Sequence, residues 1–175
     1  MNETNDQPQI IKRLDSCDHL YLISFAQGDE SFTLQVEVIE ARADTHRWNS
    51  PASVATDDAK SDDDAVRDTM LKGSRAIAPV PGCAHFTITF EEFVMFAVRD
   101  ESFAKPEEDE DFSPKLRTHK HSTLLDYFKK SSREYWDIEG PVKHMSVVCL
   151  DRIVDVICRK DPVIFMRITD QSEYD

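Results

Sequence analysis

Histidines and one acid in an apolar run are the residues of this chain whose types could do chemistry. His119 and His121 lie two apart, and residues two apart on an extended segment share a face, so the pair could converge on one ion. With His144 downstream and Asp155 or Asp126 as a carboxylate ligand, they form the weak candidate metal site of a small metal-dependent hydrolase. The spacing lacks the specificity of HExxH, and the plainer reading leaves His119 and His121 in a solvated basic loop. Asp155 interrupts Ile153-Val154-Asp155-Val156-Ile157. Period two places it on the side of Ile153 and Ile157; facing inward it needs a partner such as Arg99, Arg152 or His144, or a raised pKa, and facing outward it is an ordinary strand acid.

Other routes to chemistry are thinner. No GxSxG is present, and the only cysteines with a histidine nearby are Cys17 with His19 and Cys83 with His85. A Cys–His couple also needs contact and a third, orienting group, and a buried thiol acting as a small apolar side chain is the commoner case. With four glycines and neither GxGxxG nor GxxxxGK[ST], the sequence offers no phosphate cradle. Asp62 and Asp64 match the first positions of an EF-hand loop, and Val66 and Arg67 break it. No cofactor is expected.

Charge is the strongest global signal. Thirty-four acids against twenty-one bases give −13. Asp57–Asp68 holds six acids and two bases, and Asp100–Asp111 holds seven acids and one base. Such a field disfavours nucleic acid, whose binders carry a basic footprint, and anionic membrane surfaces. It suits a basic protein partner. The candidate docking residues are Asp62, Asp63 and Asp64, then Glu107, Glu108, Asp109, Glu110, Asp111 and Phe112, with Phe103, Tyr127 and Trp136 as further aromatic anchors. The competing readings are solubility, and pairing of the acids with the basic stretch Lys115–Arg133.

These residues need a scaffold, and 175 residues with 40% hydrophobic content suit a single domain. Phe32, Leu34, Val36 and Val38 alternate with polar neighbours, and a Gly28-Asp29 turn links them to His19–Ala26, predicting a hairpin over 19–39. Residues 1–16 read as a polar N-terminal segment without a signal-peptide core, and 43–84 as an acidic, partly flexible surface insertion with a short helix after Ser61 and Trp48 as an anchor. Phe86–Val98 reads either as one strand buried on both faces at its end or as a strand followed by a helix over about 91–99. Ser122 caps a helix through about Arg133, Lys143–Leu150 and Ile153–Cys158 form a second hairpin, and Val163–Ile168 is a last apolar run. The expected fold is α+β: an antiparallel, strongly curved sheet of about five to seven strands with one main helix near 122–133. Four cysteines without metal spacing and no spanning apolar run point to a reduced cytoplasmic protein.

The order of three blocks, FEEFVMFAVRDESF, HSTLLDYF and VKHMSVVCLDRIVDVICRKDP, resembles a set of small uncharacterised acidic bacterial proteins over about residues 86–162. The resemblance implies a bacterial origin and no known activity. Together these readings favour a non-enzymatic interaction protein, in its most concrete form an immunity-type inhibitor of a basic toxin or nuclease. The alternatives are the metal-dependent hydrolase and a subunit of a larger assembly, with the apolar run 93–98 as its interface.

Overall fold

A computed structural model describes residues 6–28, 32–43, 77–105, 111, 113–132 and 140–173. The chain opens with helix α1 (Gln7–Asp15) and continues through strands β1 (His19–Gln27), β2 (Thr33–Ala43), β3 (Ile77–Ala78), β4 (Ala84–Glu91) and β5 (Phe93–Asp100). A 3-10 turn (Glu101–Phe103) follows, then β6 (Leu116–Thr118), helix α2 (Thr123–Ser131), β7 (Lys143–Val148), β8 (Arg152–Cys158), β9 (Val163–Ile168) and a closing 3-10 turn at Gln171–Glu173.

The fold mixes helix with antiparallel sheet, as expected, but the strands form two sheets, neither strongly curved nor closed. The first runs β1-β2-β4-β9, with β3 attached to β2, and the second runs β5-β8-β7-β6. Their inner faces share one core. Leu34, Val36, Val38, Phe86, Ile88, Phe90 and Ile164 come from the first sheet, and Phe93, Met145, Val147, Val154, Val156 and Cys158 from the second.

Both expected hairpins form. In the first, β1 and β2 pair from His19 with Ala41 to Gln27 with Leu34, with a bulge between Leu22 and Ser24. Leu34, Val36 and Val38 are fully buried, while Phe32 lies just ahead of the strand and is 76% exposed. In the second, β7 and β8 pair from Lys143 with Cys158 to Val148 with Ile153.

The segment 86–98 is neither one long strand nor a strand and a helix. The chain turns at Glu92, whose φ of 54° lies in the left-handed region, and β5 leaves for the other sheet. There it is an edge strand paired with β8 alone, so Val94 and Val98 stay exposed where burial on both faces was expected.

Within the polar N-terminal segment, residues 7–15 form a helix. Pro8 suits the first turn of α1, and Ile10 and Leu14, four apart, are buried. The helix then serves two sheet edges through its side chains. The Gln7 amide donates to the Ile164 carbonyl and accepts from the Ile164 amide, both at 2.9 Å. Asp15 accepts from the amides of Lys115 (2.7 Å) and Leu116 (3.2 Å). Arg13 reaches Glu40, a buried acid that also pairs with Arg42 and accepts from the Ala84 amide. Despite burial, those partners hold the Glu40 carboxyl below its ordinary range.

Trp48 and the expected helix after Ser61, with most of the 43–84 insertion, fall outside the described residues. Among the described residues no helix is long and apolar enough to cross a membrane. Leu14→Ala is expected to lower unfolding free energy by about 2–5 kcal/mol, and Phe32→Ala by under about 0.5 kcal/mol. Urea denaturation of both variants checks whether α1 belongs to the cooperative core.

Candidate functional site

Strand β8 positions the site. Val154, Val156 and Cys158 face the shared core, which leaves Ile153, Asp155 and Ile157 on the opposite side, also buried. On β7 the same alternation sends Met145 and Val147 to the core and turns His144 and Ser146 toward Asp155. Ser146 stands directly opposite Asp155 across the ladder.

The carboxylate of Asp155, 3% exposed, is surrounded by donors. Arg99 Nε donates to Oδ2 at 2.7 Å, Ser146 Oγ to Oδ1 at 2.6 Å, and His144 Nε2 to Oδ1 at 3.1 Å. Burial alone would raise this carboxyl, but the hydrogen bonds from His144 and Ser146 and the Arg99 guanidinium leave it below its ordinary value.

The network continues outward along the histidines. A carboxylate only accepts, so His144 carries a proton on Nε2, and in the neutral ring Nδ1 is then an acceptor. Ser122 Oγ, 2.7 Å away, fills it with its hydroxyl proton. Ser122 is also the N-cap of α2, accepting from the Leu125 amide at 2.9 Å. Ser146 spends its own proton on Asp155, so its oxygen accepts from His119 Nε2 at 2.7 Å. The rings of His119 and His144 stack, with centroids 4.0 Å apart and planes 11° from parallel. The His119 amide bonds the His144 carbonyl at 3.0 Å, which fixes that stacking from the backbone.

Of the expected metal ligands, His119, His144 and Asp155 therefore converge, their candidate donor atoms all within 4.8 Å of one another. His121 and Asp126 are exposed and stay outside the cluster. The expected pairing of His119 with His121 is replaced by His119 with His144, because cross-strand proximity brings together what a two-residue spacing does not. The geometry does not fit an ion as it stands. Imidazole lone pairs lie in the ring planes, and an ion about 2 Å from both nitrogens would sit between two stacked planes, off both lone pairs. Asp155 also already carries the Arg99 guanidinium.

The thiols are inert by comparison. All four cysteines are free and buried. Burial pushes Cys149 up to about 12 and Cys158 up to about 11, and also raises Cys17. Cys17 contacts Arg13 and Cys83 accepts from the Val80 amide, and both are buried, as the commoner reading of these thiols has it.

The docking candidates are mostly beyond reach. Asp62, Asp63, Asp64, Glu107, Glu108, Asp109, Glu110, Phe112 and Trp136 lie outside the described residues. Asp111 is exposed, and hydrogen bonds from the Ser113 amide and hydroxyl hold its carboxyl below the usual range. Phe103 and Tyr127 are described, and both are exposed, at 89% and 60%.

Sequence reasoning missed Ser122 and Ser146 as partners of the histidines. The available signal was that His144 and Ser146 share a strand face and that Ser122 caps a helix. No protein-family model, curated protein or solved structure matches the chain, so the site stands on its geometry alone.

Two outcomes follow from these charges. Because Asp155 titrates lower in the native state than its unfolded value near about 4, its contribution is complete above that pH. It fades as pH falls through the native pKa. Asp155→Asn is expected to cost about 3–5 kcal/mol at pH 7 and to flatten the acid limb of the stability curve, read from urea midpoints between pH 7 and 3. In the native chain at pH 8, Cys149 and Cys158 are expected to resist a thiol reagent that modifies them at once in urea, which peptide mapping resolves.

Proposed function

We propose that the chain is an acidic interaction protein that captures a basic protein partner, with an immunity-type inhibitor of a basic toxin or nuclease as its most concrete form. The observation that carries this reading is Phe103, the most exposed of the large apolar side chains among the described residues, presented at the start of the acidic window Asp100–Asp111. Its turn is not loose. Asp100 accepts from the Ser102 amide at 3.0 Å and from Arg152 at 2.6 Å, the Glu101 amide bonds the Asp151 carbonyl, and the Ala104 amide bonds Glu101. A ring held in solvent by a fixed backbone loses little freedom on binding, and that favours it as an anchor. The surrounding acids supply long-range attraction for a basic surface and speed encounter, while the ring sets residence time.

A hydrolytic reading is favoured by one separate observation, the convergence of His119, His144 and Asp155. Its metal-dependent form conflicts with the stacked rings.

The test is a pull-down with the tagged chain at low and moderate salt, followed by titration of the recovered protein. A single basic protein recovered in near-equal amount and released as salt rises is expected. Phe103→Ala should weaken it by about 30-fold or more, and joint charge reversal at Glu107, Glu108, Asp109 and Glu110 should slow association. Binding insensitive to both changes, or no stoichiometric partner at either salt, overturns the reading.

A further inference from the structure

The two serines of the buried network differ in what their hydroxyl protons face. Ser146 points its proton at a carboxylate, while Ser122 points its proton at an imidazole nitrogen. Only the second arrangement can release a nucleophile, because a neutral imidazole accepts a proton readily and a carboxylate already held by an arginine does not. The line Ser122 Oγ to His144 Nδ1 to His144 Nε2 to Asp155 Oδ1, at 2.7 and 3.1 Å, has the three roles that acyl-transfer chemistry requires: nucleophile, base and orienting acid.

We propose that Ser122 is an activated nucleophile for acyl transfer from small carboxylic esters, with His144 as its base and Asp155 as the positioning residue. Each neighbour supports a stage of the reaction. Arg99 and Ser146 fix the Asp155 carboxylate, and the stacked ring of His119 fixes the plane of His144. Ser122 sits at the N-terminus of a nine-residue helix, where the Leu125 amide already bonds its oxygen. The positive end of the helix favours negative charge developing near Oγ. The serine is 7% exposed and its chain neighbours His121 and Thr123 are exposed, so the proposal is confined to small acyl groups.

In the first step the Oγ–acyl bond forms as the Oγ proton moves to His144 Nδ1. The ester C–O bond then breaks, and that proton leaves with the departing alcohol. Water reverses the sequence, losing a proton to Nδ1, releasing the carboxylic acid and restoring the hydroxyl. Neither a metal nor the partner-binding reading is involved, so the two proposals stand or fall separately.

The test uses the full chain in its folded state. A fluorophosphonate probe forms an oxygen–phosphorus bond and expels fluoride only at an activated hydroxyl, and peptide mapping locates the adduct. One adduct per chain on Ser122 is expected, together with a one-equivalent burst of nitrophenolate from p-nitrophenyl acetate. Ser122→Ala should abolish both, Ser131→Ala on the far end of α2 should keep both, and His144→Gln should slow labelling about a hundredfold. A folded wild-type chain that stays unlabelled, or one labelled evenly over several serines, overturns the proposal. A His144→Gln variant that folds and labels at the wild-type rate overturns the role of the base.

Discussion

Asp155 is a carboxylate placed where water cannot reach it, and much of the second sheet is arranged around that fact. An ionised carboxyl in such a place costs several kcal/mol unless its lone pairs are filled. Two strands and the chain between β6 and α2 supply the filling: Arg99 from β5, His144 and Ser146 from β7, and His119, which reaches Asp155 through Ser146. Because His144 also bonds Ser122, the carboxylate fixes the start of α2 as well as the ladder beneath it. An apolar residue at position 155 would satisfy the packing of β8 with less demand. The acid therefore contributes orientation more than net stability, since it dictates which nitrogen of His144 carries the proton and which serine faces a base.

The other constraint is the open side between the two sheets. Sheet edges expose unpaired amides and carbonyls, and an unprotected edge invites pairing with another chain. Here α1 lies across that side and answers β9 and β6 with side chains in place of a strand: Gln7 mimics a ladder pair with Ile164, and Asp15 takes two amides at the start of β6. On the opposite side Phe25 of β1 meets Phe96 of β5 edge to face, with centroids 5.7 Å apart. A helix thus covers one side between the two sheets and an aromatic contact bridges the other.

Where local periodicity dictated structure, the sequence was readable. Alternation in 34–38, the pairing of 19–27 with 34–41 and the Ser122 cap each translate into observed elements because each rests on neighbours in the chain. The inward acid in Ile-Val-Asp-Val-Ile was readable too, and two of its three candidate partners, Arg99 and His144, are the ones it uses. What was not legible depends on distant contacts or on one backbone angle. Helix α1 is polar on average, and only docking of Ile10 and Leu14 reveals it as part of the core. The break at Glu92 is a single backbone angle in an otherwise continuous apolar run. For the site, the residue types were legible but the partners were not. His121 is nearest His119 along the chain, yet the antiparallel register of β6 and β7 brings His144 beside it instead.

The acidic surface and the buried network divide the chain's charge between two physical regimes. Exposed acids such as Asp111 act through water, where interactions are screened beyond about 10 Å at moderate salt, so their effect is collective and salt-dependent. Asp155 acts over a single hydrogen bond in a dry environment, where direction decides everything. Phe103 belongs to the first regime and Ser122 to the second: one follows β5 into solvent, the other bonds the β7 histidine. Salt therefore separates them. An activity that weakens steeply with ionic strength traces to the acidic surface, and one that survives it traces to the serine–histidine line, where ions do not penetrate.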